Sequence, residues 1–331
     1  MVLITGSTGF LGNHLARFLA GRGVRLRVLV RRSSDRATIH GLDAEVHIGD
    51  LLDEESLYRA ARGCSTVFHV AAEYSLWTAE PTQMYAVNVE GTRNMLAAAR
   101  RAAVKRLVYT SSVGTIVPRP GGEPVTENSP SALDGMVGHY KRSKFLAERV
   151  ALQAAAGGQD VVIVNPTAPV GERDFRPTPT GRIVLDFLEG RMPAYVDTGL
   201  NLVDAQDVAH GHWLAAERGR TGERYLLGSE NLSLRRILGI LAEVSGRAAP
   251  RIRMPYSAAW VAAAACWAWS GVSGRPPAVP MDGVRMARRA MFADCGKAER
   301  ELGYAPGPVR PALARAVQWF ERRAAGERPP G

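Results

Sequence analysis

Lysine is scarce in this chain. Only Lys105, Lys141, Lys144 and Lys297 are lysines among 42 basic residues, so the formal net charge of +10 comes almost wholly from arginine. No long basic tract or aromatic RNA-binding signature accompanies that surplus, which argues against nucleic acid as a partner. Phosphate-bearing cofactors, acidic ligands and an anionic membrane surface stay open. Cysteine is scarce too: Cys64, Cys266 and Cys295 are odd in number and widely spaced, which fits reduced thiols better than a disulfide framework or a zinc site. His210 and His212 stand two apart, cannot share a helix face and have no third ligand nearby in sequence, so no metal is expected. The apolar run Ala258 to Trp269 falls well short of the ~20 residues that span a bilayer. No charged and apolar leader precedes Val2-Leu3-Ile4-Thr5, so a cytoplasmic location is expected. There are no internal repeats.

What is present is an ordinary globular composition, 46% hydrophobic and 22% charged over 331 residues, enough for a large core and two lobes. Short apolar runs at 2–5, 26–30, 45–48, 66–70, 106–110 and 161–165 read as strands. Helical periodicity lies between them at 10–19, across Pro81 to Arg101 and around Tyr140. Such alternation predicts an α/β fold, a Rossmann-type doubly wound parallel sheet covered on both faces. Beyond Asn165-Pro166 the pattern loosens. Helices are expected near 181–190, 233–245, 256–270 and 309–323, with short pieces around 204–217 and 225–227. The division expected is a dinucleotide-binding domain at 1–165, whose core can take in later strands, a smaller C-terminal α/β substrate lobe at 166–323 and a flexible tail at 324–331.

Gly6, Gly9 and Gly12, with Thr8, Phe10 and Leu11 among them, sit where the first strand turns into the first helix. Their GxxGxxG spacing differs from the dinucleotide fingerprint by one residue in the first gap. The mechanics are the same: a tight turn, a close approach of backbone to a pyrophosphate, and a helix N-terminus that favours negative charge. An NAD-selective site ends its second strand with an acidic residue, whereas here Val30 is followed by Arg31 and Arg32. Arg31 suits a 2′-phosphate, so NADP(H) is preferred, with NAD(H) possible. Asp50 and Leu51, after the third strand, either place a carboxylate near the adenine amino group or make an ordinary turn or cap.

Tyr140 and Lys144 stand four residues apart on one helix face. A tyrosine hydroxyl beside an ammonium group can donate a proton to a carbonyl that accepts hydride, so this pair is the candidate active site.

The runs Thr5-Gly6-Ser7-Thr8-Gly9-Phe10-Leu11-Gly12, Gly49-Asp50-Leu51, Asn88-Val89-Glu90-Gly91-Thr92 and Tyr109-Thr110-Ser111-Ser112, together with Tyr140 and Lys144, resemble the extended short-chain dehydrogenase/reductase family across essentially the full chain. More narrowly, Gly138 to Glu148, Val164 to Thr167 and Arg191 to Asn201 look like the hopanoid-associated sugar epimerases. The arginine at position 31 instead resembles the NADP-dependent dihydroflavonol reductases. The resemblance implies that Tyr140 exchanges a proton with the substrate oxygen, that Lys144 lowers the tyrosine pKa and holds the nicotinamide ribose, and that Ser112 bonds the same oxygen. It further implies cofactor contacts from Ala71, Asn88 and Pro166, and a substrate border at Asn165, which a plain Asn-Pro turn also explains. Glu73, Tyr74 and Trp77 either line the substrate cleft or pack under a surface loop.

The implied reaction is hydride transfer at a sugar-like or hopanoid-linked alcohol or ketone, with ketone reduction as the alternative. A regulator that only senses the dinucleotide would not need both Tyr140 and Lys144. Related enzymes often pair as homodimers. The Ala- and Trp-rich stretch 256–270 reads either as a buried helix of the small lobe or as an interfacial helix in peripheral contact with the inner face of a membrane.

Overall fold

Runs of aliphatic residues with no charge between them become strands buried on both faces, as in Val161 to Val164, where every residue is 0% exposed. The computed structural model describes the chain except residues 76–79, 274–276, 278–280 and 328–331. In chain order the first part holds β1 (Val2–Thr5), α1 (Phe10–Ala20), β2 (Leu26–Val30), β3 (Glu45–Ile48), α2 (Glu54–Ala61), β4 (Thr66–His69), α3 (Pro81–Tyr85), α4 (Gly91–Arg101), β5 (Arg106–Thr110), α5 (Gly138–Ala156) and β6 (Val161–Pro166). The second part holds β7 (Ala168–Val170), α6 (Pro179–Leu188), β8 (Ala194–Val196), β9 (Gly199–Asp204), α7 (Ala205–Arg218), β10 (Arg224–Leu227), β11 (Glu230–Ser233), α8 (Leu234–Ser245), β12 (Ile252–Met254), α9 (Tyr256–Ser273), α10 (Met281–Ala287), α11 (Gly296–Leu302) and α12 (Val309–Ala324).

Seven parallel strands form one sheet in the order β10-β6-β5-β4-β1-β2-β3. The chain starts in β1, winds outward through β2 and β3, then returns to β4 on the other side. The crevice between the ends of β1 and β4 is therefore the switch point where ligands bind in such sheets. One face is covered by α1 and α7, whose Leu15, Leu19 and Val208 pack on Ile4, Val28 and Val164. The other is covered by α2, α4 and α5 through Leu57, Met95 and Ala147. The last strand of the sheet, β10, comes from residues 224–227, beyond the Asn165-Pro166 break.

A second core gathers α6, α8 and α12 through Phe187, Leu241, Leu313 and Phe320. Beside it lie the three-stranded sheet β11-β9-β7 and the pair β12-β8. These short strands carried too little alternation to be read from sequence, and the pieces expected around 204–217 are one helix, α7. The helical stretch from Pro81 is interrupted by a π turn, Ala86–Glu90, joining α3 to α4.

The stretch 256–270 is helical, but it is buried along one stripe only. Ala259 and Ala263 pack on Val284 of α10. Trp260, Val261, Trp267 and Trp269 are 47%, 63%, 63% and 70% exposed. The reading as a buried core helix is corrected by those numbers: its alanines do face α10, but its indoles do not. Among the described residues no helix is long and apolar enough to cross a membrane.

Candidate active site

The glycine turn is shaped by backbone approach. Gly6 has φ +78°, and a Cβ there would stand 2.7 Å from the Ala71 nitrogen; a Cβ on Gly12 would stand 2.2 Å from the Gly6 carbonyl oxygen. No side chain fits at either position. The N-cap of α1, Gly9, offers no side-chain acceptor and no acid lies in the first turn, so the helix N–H groups point into the crevice unneutralised. Asn13, fully buried, donates to the carbonyls of Ser7 (3.3 Å) and Thr38 (2.7 Å) and so ties the turn to the loop after β2. Nothing in the sequence marks Asn13 as different from any polar residue of an amphipathic helix.

A cleft of about 970 Å³ opens here and runs past the ends of β5 and β6. Gly6, Thr8, Gly9, Phe10, Leu11, Gly12, Arg31, Asp50, Leu51 and Ala71 all line its first half, where sequence reasoning put them. Ser33, Ser34, Asp35 and Thr38 line it too, and nothing in their spacing sets them apart from other loop residues. Ser34 accepts the Arg31 backbone N–H at 3.1 Å, turning the loop so that Arg31 and the serines face one space. The backbone cradle, the open helix terminus and the arginine make a donor set that fits a dinucleotide.

In the middle of the cleft β5 ends in Thr110-Ser111-Ser112 and α5 carries Tyr140 and Lys144 past it. Tyr140 lies beside Ser112; burial raises its pKa to about 12, with the neighbouring Ser112 hydroxyl opposing. Lys144 is 3% exposed, donates to the Thr110 carbonyl at 2.6 Å and lies 4.6 Å from the centroid of the Tyr109 ring. Burial lowers its pKa to about 7, with Glu148 one turn further on opposing. The side chain of Thr110 meets His212 Nε2 at 2.8 Å, while His212 Nδ1 meets the Val208 carbonyl at 2.7 Å. A carbonyl accepts only, so Nδ1 carries the proton and Nε2 accepts from Thr110. Burial holds His212 neutral, near 4. The arrangement can present a phenol proton and a serine hydroxyl to one oxygen, with a titratable amine below them.

Two residues expected at the ligand, Asn88 and Asn165, are not among those lining the cleft. Asn88, 2% exposed, sits in the π turn; its amide brackets Glu73, accepting from that N–H (2.7 Å) and donating to that carbonyl (3.0 Å), and also donates to Ser143 at 2.9 Å. It holds the loop after β4 against α5, and the π turn places it there. Thr92 closes a further chain: it donates to the Asn88 carbonyl, so it accepts from His69 Nε2, and His69 Nδ1 accepts from Thr5. Asn165, 0% exposed, lies behind Ser112 and donates to the Ser112 carbonyl, to Thr115 and to Glu148. Both asparagines shape the site from outside the cleft.

The far half of the cleft is walled by Pro166, Phe175, Ile183, Leu200, Met286 and Met291, with Thr198, Asn201, Arg289 and Arg323 among them. Glu73 and Tyr74 line it as well, and the Tyr74 ring stands edge-on to Tyr140 with centroids 4.1 Å apart. Trp77 lies outside the described residues.

The sequence profile described as the NAD dependent epimerase/dehydratase family matches residues 2–228, the span that builds the sheet and the whole glycine-to-lysine site. The chain belongs to that family. It is 46% identical over 96% of its length, and 94% of the relative's, to a Synechocystis sp. protein provisionally named dihydroflavonol 4-reductase. It is 37% identical to sterol demethylase protein B of Methylococcus capsulatus, over 97% of this chain and 98% of that one. Among solved structures it is similar to dTDP-glucose 4,6-dehydratase from Streptomyces venezuelae, which has NAD bound, at TM-score 0.78 and 25% identity, covering 99% of this chain and 98% of that one. This protein is therefore an extended short-chain dehydrogenase/reductase with a site for a nicotinamide cofactor.

Proposed function

We propose that this protein is an NADP(H)-preferring oxidoreductase that moves hydride between the cofactor and an alcohol or ketone on a large, mostly apolar molecule, such as a polycyclic hopanoid lipid. The observation that carries this reading is the meeting, in one cleft, of Ser112, Tyr140 and Lys144 with a far wall of Phe175, Ile183, Leu200, Met286 and Met291. A nucleotide-sugar has polar groups along its whole length, and such a wall would leave many of them unpaired. Two relatives named for a dihydroflavonol and a sterol support the same class of substrate.

The nicotinamide, when bound, supplies or accepts the hydride. Gly6, Gly9 and Gly12 would admit its pyrophosphate, Arg31 with Ser33 and Ser34 would take the 2′-phosphate, and Lys144 would hold the ribose. Tyr140 donates its proton to the substrate oxygen during reduction while Ser112 hydrogen-bonds that oxygen. Burial keeps the phenol protonated at neutral pH, the form reduction requires. In the oxidative direction a protonated Lys144 would ease the loss of the tyrosine proton.

A second reading, net epimerisation of a hopanoid-associated sugar, is favoured by Thr198 on the far wall. The two are separated by identifying, by mass spectrometry, the nucleotide released on denaturing the purified protein, then comparing NADPH and NADH oxidation with polycyclic ketones in wild type and Tyr140→Phe. We expect little retained nucleotide, faster turnover with NADPH, and a loss of about 10²–10⁴-fold in Tyr140→Phe with nucleotide binding intact. Near-stoichiometric retained NAD+ or NADP+ would favour the epimerase. Wild-type turnover by Tyr140→Phe would sink both readings.

A further inference from the structure

We infer that α9 is a docking surface for an anionic lipid bilayer, and that it seats the far end of the cleft at the membrane. This goes beyond the hydride chemistry and does not depend on it.

The first observation is an unpartnered apolar face without charge. From Tyr256 to Ser273 there is no Asp, Glu, Lys or Arg. At 100° per residue, Trp260 and Trp267 share one side of the helix, and Val261 and Trp269 continue the exposed arc around it. Ala259 and Ala263 occupy the rest of the circumference, next to Trp267, and pack on Val284. Three indoles between 47% and 70% exposed on one short helix contrast with the remaining described tryptophans, of which Trp319 is 5% exposed and Trp213 is packed against the main core. Indoles are the side chains that settle at a lipid headgroup boundary, with an apolar ring and one N–H donor.

The second observation is the charge around that face. Between residues 251 and 289 the sequence has six arginines and a single acidic residue, Asp282. Arg251 and Arg253 precede α9, while Arg285, Arg288 and Arg289 follow it at α10, and Arg251, Arg253, Arg285, Arg288 and Arg289 are all exposed. An apolar face with a cationic margin is complementary to an anionic membrane surface. A second copy of this chain would bring the same cationic margin against itself across a two-fold contact, which disfavours that occupant.

The third observation is position. α9 packs on α10 through Ala263 and Val284. Gly283, Met286, Ala287 and Arg289 line the substrate half of the cleft. At its other side α10 meets the start of the Tyr140 helix, where a Cβ on Gly138 would stand 2.4 Å from the Asp282 carboxylate. One helix therefore separates the exposed indoles from the place where a water-insoluble substrate would enter. The helix lies on the surface and does not insert across it, in keeping with its length and with the lack of a spanning segment among the described residues.

The test is co-sedimentation of the full-length protein with phosphatidylcholine vesicles, with and without phosphatidylglycerol, while tryptophan emission is recorded against brominated lipid. Wild type is expected to partition onto the anionic vesicles only, with blue-shifted and quenched emission, and to be released by salt. The triple variant Trp260→Gln, Trp267→Gln, Trp269→Gln should lose about tenfold or more of the partitioning. Its NADPH binding should match wild type, which shows that the variant is folded. No sedimentation of wild type with anionic vesicles, or undiminished sedimentation of the triple variant, overturns the proposal. So does a dimer in analytical ultracentrifugation that the triple variant abolishes and vesicles do not compete away.

Discussion

At one end of the cleft the walls are largely backbone, and at the other they are side chains from scattered segments. The cofactor end comes from the Gly6–Gly12 turn, the loop after β2 and the ends of β3 and β4, all within the first 71 residues. The far end draws on Glu73 and Tyr74 and on residues from Pro166 to Arg323, brought together by the loop after β4, α6, β9, α10 and α12. A backbone cradle recognises a group that does not vary, and its geometry tolerates no added atom. A wall of side chains can change its shape by substitution while the sheet stays as it is. On the proposed function, the difference teaches where specificity would reside: the shared chemistry on the regular half of the fold, and the choice of substrate on the irregular half.

Substitutions at the two ends should therefore fail differently. The largest effect is expected from Gly12→Ala, because the new methyl group would stand 2.2 Å from the Gly6 carbonyl oxygen and force α1 off β1. Nucleotide affinity measured by fluorescence titration should fall about tenfold to a hundredfold, whatever the substrate. Unchanged affinity would mean that the dinucleotide does not use this turn. Met286→Lys should do the opposite. A charge replacing an apolar side chain at the far wall should raise KM for an apolar substrate about tenfold and leave nucleotide affinity alone. A matching loss of nucleotide affinity would erase the distinction between the two ends.

The smallest effect is expected at the junction. Burial holds Lys144 near 7, against an ordinary value of 10.5. Between those values the unfolded chain carries a proton that the native protein lacks, so the desolvation penalty is full below about pH 7 and fades toward pH 10.5. Thermal denaturation of Lys144→Met against wild type should show the variant's relative stability greatest at low pH and declining across that window. A difference that does not vary with pH would show that Lys144 is not desolvated in the native state.

The parallel sheet was legible because buried strands need unbroken aliphatic runs and the crossovers need helical spacing between them. The glycines, Arg31 and the Tyr140–Lys144 face were legible because each depends on spacing within a single turn or strand end. Asn88 and Asn165 show the limit. The family resemblance implies ligand contacts for both, with a plain Asn-Pro turn as the alternative at Asn165, and the fold turns both inward to brace the loop at Glu73 and the strand end at Ser112. The tryptophans of α9 show the same limit, since a uniformly apolar helix has no polar side to say which face is covered.

Sequence by itself determined the fold class, the glycine turn and the helix face that carries Tyr140 and Lys144, because those features follow from local backbone geometry and short-range periodicity. Only the tertiary structure decided which polar side chains face the cleft, which apolar wall stands opposite Tyr140, and which indoles remain uncovered. These depend on how separate segments of the chain meet, and hydrophobic burial, being non-directional, does not specify that meeting within any one segment.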